Sequence, residues 1–171
     1  MKAIKIILGI IIALTVVFLA TGLIVKETKY SAEVEINKPI AEVFAQFEDP
    51  ASLMKWMPEL KSITPINENP GKIGSTYKMV VENEGQTMEM TEKIMAYVPN
   101  EKMTFQFDSD QMIKTDDFTF IANGNSTKLI QNCTVKSNSY MMACLFPYFK
   151  GKFQEMSLGY MNKFKKMVES N

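Results

Sequence analysis

The side chains with the most chemical reach in this 171-residue chain are two carboxylates, Glu92 and Asp116, and one amide, Gln131. Each falls on the same strand parity as a set of large apolar residues, Met79, Met90, Phe105, Phe118 and Leu129. Facing inward together, these would form an apolar wall with a few polar groups set in it, the usual make-up of a small-molecule pocket. A carboxylate buried in such a wall has its pKa raised by desolvation and can act as a general acid or base. Register decides the matter, because a slip of one residue turns every side chain of a strand to the other face. The expectation is that at least one of the two carboxylates faces water. Glu92 and Asp116 are therefore weak catalytic candidates and no other is assigned. A filled core that holds no ligand is the alternative to a pocket.

Other chemistries lack their residues. The chain has no histidine, which removes the commonest general base, the commonest metal ligand and every His-dependent triad. It has no Cys-x-x-Cys pair, and Asp116 and Asp117 on one strand point to opposite faces, so no metal or cofactor is expected. A serine or cysteine without an adjacent base is not activated at neutral pH, which argues against nucleophilic hydrolysis. Gly71 to Ser75 looks superficially like a phosphate loop, but the Gly-Lys-Ser/Thr order is absent and a strand follows. Nineteen basic and nineteen acidic residues balance to zero formal charge without a basic cluster, so nucleic-acid binding lacks its electrostatic footprint.

Cys133 and Cys144 are too few for a disulfide framework. They could pair in an oxidising compartment; separate buried thiols are expected. Asn125-Ser126-Thr127 and Asn132-Cys133-Thr134 match the glycosylation sequon, the second inside a strand, and both read as chance matches. Fourteen methionines and eleven phenylalanines suit either a plastic core or an adaptable apolar cavity.

The elements that must position these residues are legible from periodicity. Tyr30, Ala32, Val34 and Ile36 alternate with polar residues as one strand. Pro39 stops it and opens a helix carrying Ile40, Val43, Phe44 and Phe47. Asp49-Pro50 breaks that helix, and a second short one carries Leu53, Met54, Trp56 and Met57. Trp56 either packs these helices against the sheet edge or stands at a cavity mouth. From Glu59 to Lys136 the chain is strand and turn, with turns at Asn67 to Gly71, Glu84-Gly85, Pro99-Asn100 and Asn123 to Asn125. Short turns between consecutive strands predict an antiparallel meander. A closing helix carries Phe149, Phe153, Met156, Tyr160, Phe164 and Met167 on one stripe, which must cover the sheet. Phe153, Met156 and Tyr160, in mid-stripe, are expected to be its most buried residues; a stripe that faces a cavity or solvent would overturn that.

Ahead of all this stands an uncharged run of twenty residues, Ile6 to Val25, flanked by lysines. At 1.5 Å per residue it reaches about 30 Å, the thickness of a bilayer's hydrocarbon core. A cleaved signal peptide is the alternative, but the run exceeds the roughly 7–15 residues of a signal's apolar stretch. A cut after Ala20 would also place bulky Phe18 at −3. The division expected is an anchor and tether over 1–29 and one domain over 30–171. Lys2 and Lys5 against Lys26 and Lys29 give a slight bias that places the N-terminus in the cytoplasm and the domain on the far side.

From Tyr30 onward the order of motifs resembles the SRPBCC, or START-like, superfamily of polyketide cyclases, dehydrases and lipid-transport proteins. Val34-Glu35-Ile36-Asn37-Lys38-Pro39 with Val43-Phe44 resembles that family's first strand and helix, and Asp49-Pro50 with Trp56 its second helix. Pro70-Gly71-Lys72-Ile73-Gly74-Ser75-Thr76-Tyr77 resembles its Gly-rich approach to the third strand. Tyr97-Val98-Pro99-Asn100-Glu101-Lys102 resembles its Tyr-Asp-Pro-Pro turn, and Gly124-Asn125-Ser126-Thr127-Lys128-Leu129 the start of its last strand. The resemblance implies an α+β helix-grip fold: a curved antiparallel sheet of six or seven strands wrapped on the C-terminal helix, with a cavity between them. It further implies a hydrophobic small molecule or lipid as partner, with Phe153, Met156 and Tyr160 among the cavity residues. Only some members of that family are enzymes, so activity stays open between a binding protein, a cyclase or dehydratase using a buried carboxylate, and a partner-binding module with a filled core. Sequencing the mature N-terminus is expected to find a start ahead of Ile6; a start near Thr21 or Leu23 would make the domain an exported one.

Overall fold

A computed structural model describes residues 2–83 and 85–170. The apolar run forms helix α1, Lys2–Ile24, whose Thr15 and Thr21 hydroxyls bond back to the Ile11 and Val17 carbonyls at 2.9 and 3.0 Å. That helix is long and apolar enough to cross a membrane, a description a signal sequence also meets. Strand β1, Thr28–Ile36, alternates strictly between buried and exposed residues. Helices α2, Ile40–Glu48, and α3, Pro50–Trp56, follow. Asp49 separates them because its carboxylate accepts from the Ala51 and Ser52 amides, both at 3.1 Å, while Pro50 occupies the first turn, where no amide is needed.

Six strands then run as an antiparallel meander: β2 Leu60–Asn67, β3 Thr76–Asn83, β4 Gln86–Val98, β5 Lys102–Asp108, β6 Met112–Asn123 and β7 Ser126–Ser137. With β1 they make one seven-stranded sheet in the order β1-β7-β6-β5-β4-β3-β2. Pro65 sits in β2, an edge strand, beside a register shift, the kind of place to which sheets confine proline. The turn expected at Glu84-Gly85 involves Glu84, which lies outside the described residues; Gly85 itself has a φ of 78°. A further helix that periodicity did not indicate, α4, Tyr140–Leu145, leads through a 3-10 turn, Phe146–Phe149, into α5, Lys150–Glu169.

Helix α5 lies along β1, and here one expectation fails. Its buried residues are Ser157, Met161, Phe164 and Val168, while Phe153 and Tyr160 are half-buried and Met156 is 52% exposed. Periodicity locates an apolar stripe but says nothing of the space opposite it. The face that meets β1 is turned one residue from the middle of that stripe. Small Ser157 permits the close approach, its hydroxyl 3.9 Å from the Cys133 thiol. The far end of α5 is tied to the end of β1, with the Asn37 amide donating to Glu169 at 2.7 Å and Lys165 to the Glu35 carbonyl at 2.6 Å.

An aromatic cluster clamps the same end. Phe47 of α2 meets Phe118, Phe120 and Phe164 at 4.7, 5.2 and 5.4 Å between centroids, and stacks on Trp56 at 5.9 Å. Trp56 therefore packs α3 against α5, its ring 5.3 Å from Phe164. Phe164 is 1% exposed and touches both short helices. Phe164→Ala should destabilise the fold by about 3–5 kcal/mol in urea unfolding, and Phe153→Ala by clearly less, because Phe164 is fully buried between Phe47 and Trp56 whereas Phe153 is only half-buried.

Candidate functional site

Toward the other end of α5 the sheet curves away and encloses a cavity of about 530 Å³. Parity brings residues distant in sequence onto its wall. Met79 and Met90 face each other across β3 and β4, Phe105 pairs with Ile94, and Phe118 lies between Met103 and Gln131. Leu129 closes the sheet side, and Phe153, Met156 and Tyr160 come down from α5. All nine residues expected to line a cavity thus lie on this one, together with Glu92 and Asp116. Leu53, Trp56 and Met57 of α3 form part of the same wall.

The two carboxylates correct the expectation that one of them would face water: Glu92 is 6% exposed and Asp116 4%. They sit in adjacent rows across the sheet. Tyr30, Cys133, Asp116, Phe105 and Ile94 make one row, and Lys114, Phe107, Glu92 and Tyr77 the next. Lys114 and Asp116, two apart on β6, point the same way and pair at 2.7 Å. The ammonium also lies 5.9 Å from the Phe107 ring centroid. Asp116 Oδ1, fully buried, has no hydrogen-bond partner among the described residues.

Burial, with the Asp116 charge second, pushes the Glu92 carboxyl up to about 7. Burial alone would lower Lys114, but the charge and hydrogen bond of Asp116 outweigh it and hold the ammonium above its ordinary range. Burial likewise pushes Tyr30 and Cys133 up to about 12, so both stay protonated. The result is a carboxyl poised near neutrality, an ion pair with one free acceptor, a phenol and the Gln131 amide on an otherwise apolar wall. Among the described residues no three metal-binding side chains converge. Lys114, Tyr30 and Ser157 are the members that sequence reasoning missed. Lys114 shares the inward parity of Asp116 and Phe118, and a lysine on a buried parity was the available signal.

One rim is built by the loop after β2. Gly71, Lys72 and Gly74 all have positive φ, 81°, 69° and 83°, and the loop is stitched to β4 by Gly74 and Ile94 amide bonds of 2.8 and 3.0 Å. Lys72 lies 4.6 Å from the Tyr97 ring centroid and pairs with Glu48, which also accepts from Tyr97 at 2.8 Å. Burial would raise the Glu48 carboxyl, but the bonds from Lys72 and Tyr97 bring it below its usual range. The glycine loop is thus a clasp on the cavity rim. Cys133 and Cys144 are free, buried thiols.

A curved seven-stranded antiparallel sheet gripping a C-terminal helix, with two short helices after the first strand, is the helix-grip fold of the START-like proteins. Residues 27–155 match the family described as polyketide cyclase / dehydrase and lipid transport, and the chain belongs to that family. No curated protein matches the sequence. Among solved structures it is similar to a START superfamily protein from Mycobacterium smegmatis, at 17% identity and a TM-score of 0.69 over 83% of this chain and 97% of that one. The Zhui aromatase/cyclase from a Streptomyces species aligns with a TM-score of 0.69 at 10% identity, covering 84% of this chain and 94% of its own. A conserved protein from Geobacillus kaustophilus gives 0.67 at 14% identity, over 83% and 95%. At these identities the likeness is one of fold.

The Glu92 value has a consequence for stability. An acid whose pKa rises on folding favours the folded state most below its unfolded pKa of 4.5, and that contribution is lost as pH climbs through about 7. Stability from this group should fall by roughly 3 kcal/mol between about pH 4 and about pH 8. Glu92→Gln should flatten that fall in urea titrations and leave the protein more stable than wild type at the upper pH.

Proposed function

We propose that this chain is a membrane-tethered binding protein for a lipid or another hydrophobic small molecule with one polar end. The observation that carries this reading is the cavity itself, an apolar volume with one polar cluster on its wall. Its size falls within the few hundred to a thousand Å³ usual for ligand sites. Each Å² of ligand surface withdrawn from water contributes about 25 cal/mol, so shape and area supply most of the affinity. Asp116 Oδ1 and Gln131 supply orientation, the first by accepting a hydrogen bond from a ligand hydroxyl or amine. The tether is residues 1–29, with α1 as a retained span, and the domain is residues 30–171. The open cavity weighs against the reading of a filled-core module.

A second reading rests on Glu92. A carboxyl of pKa about 7 facing a cavity can give and take a proton at neutral pH, as a cyclisation or dehydration requires. In that case Glu92→Gln would abolish turnover of a bound compound without releasing it.

Native mass spectrometry of the full chain, released from detergent micelles, should find a small molecule travelling with the protein, or stable uptake of an added long-chain alcohol. Met90→Trp, which places an indole in the wall, should weaken uptake about tenfold, equivalent to ~1.4 kcal/mol. An empty protein that takes up no long-chain compound would sink the binding reading.

A further inference from the structure

The last turns of α1 do not stand free. The Tyr140 hydroxyl donates to the Leu19 carbonyl at 2.6 Å, and the Thr21 hydroxyl bonds the Tyr148 hydroxyl at 2.9 Å. The Phe18 and Tyr148 rings stack 6.2 Å apart. Gly22 is buried against α4, where an added Cβ would lie 2.4 Å from the Cys144 sulfur. Only glycine lets the two helices come this close. The stretch from Phe18 to Gly22 is therefore a built interface between α1 and the segment formed by α4 and the 3-10 turn.

This sets a problem of length. From Ile6 to Val17 the helix has twelve uncharged residues clear of that interface, about 18 Å at 1.5 Å each, against a hydrocarbon core of about 30 Å. The remaining thickness has to be filled by the turns that α4 and Tyr148 cover. A span that crosses fully must carry these partners down with it, and their outward faces suit the descent. Met141 is 57% and Tyr148 59% exposed, and Tyr140 and Phe149 are nearly as open. Exposed lysines follow at once on both sides, Lys26 after α1 and Lys150 after Phe149. Tyrosines with apolar neighbours and a lysine fringe are what the boundary between headgroups and acyl chains accepts.

We infer that residues 140–149 are a second membrane contact, a collar seated in the interfacial layer of the bilayer and locked to the span at Gly22. The inference rests on α1 being a retained span. It adds that the domain is held against the bilayer in one orientation, with the α5 end that bears Phe153 and Met156 nearest the lipid.

The test uses the full chain in vesicles of phosphatidylcholine and phosphatidylglycerol. An environment-sensitive fluorophore is attached at Met141→Cys, at Phe149→Cys and, as control, at Asn125→Cys. All three positions are exposed, so the fold should survive each change, and the native thiols are buried. Asn125 lies at the opposite end of the sheet, across the full length of β7, about 36 Å at 3.3 Å per residue. The probes at 141 and 149 should be blue-shifted and quenched several-fold more by doxyl lipid than the probe at 125. Water-like emission at both, in protein that floats with the vesicles, would overturn the collar and leave the span intact. Probes shielded from water but untouched by doxyl lipid would also overturn it, in favour of a protein partner or a second copy. Protein released from vesicles by alkaline carbonate would overturn the span, and the collar with it.

Discussion

The ring cluster around Phe47 clamps α5 to the sheet at one end only. There Phe47, Trp56, Phe118, Phe120 and Phe164 interlock, and Glu169 and Lys165 fasten the helix to the end of β1. Aromatic contacts of this kind add about 0.5–1.5 kcal/mol each beyond the area they bury. At the other end the helix leans on Cys133 of β7 through Ser157 and on Tyr30 of β1 through Phe153, the two rings 6.0 Å apart. The sheet is free to curve away from this lightly held half, and the cavity is what the curvature leaves. Packing strength and ligand space are thus divided along the length of one helix.

The polar cluster follows from the same division. A lysine, an aspartate and a glutamate two rows deep in an apolar sheet would be hard to sustain in close-packed core, where each charge needs a full set of partners. Beside a cavity they can be half-satisfied. A buried acceptor left without a donor costs roughly 1–3 kcal/mol, and Asp116 Oδ1 is such an atom. Its place on the wall turns that cost into selectivity, because a ligand that supplies the donor recovers it and an alkane does not.

Much of this is legible in the sequence. Strict alternation in β1, the Asp49-Pro50 break and the short turns are local signals, and they dictate the antiparallel order and the inward faces. What local signals leave open is depth. Glu92 and Asp116 share a parity with Met90 and Phe118, but only the pairing of β4, β5 and β6 sets both carboxyls side by side on the sheet's concave face. The register shift between Ile94 and Ala96 then moves the inward set of β4 onto Tyr97, which no alternation could foretell. Residues 140–149 are apolar with no clean period, and so nothing in the pattern marks α4. In α5 the stripe was visible, but its most apolar part faces the cavity and the buried face is turned toward Ser157.

Trp56 is the only tryptophan of the chain, and its ring stands both in the clamp and on the cavity wall. Its indole nitrogen is buried without a partner among the described residues. Almost all light the protein emits on near-ultraviolet excitation therefore originates at the junction between its rigid half and its hollow half. A guest that fills the cavity changes the surroundings of that ring directly, and so does any loosening of α3 from α5. The molecule carries its own optical gauge, one that reports occupancy and cohesion from the same point.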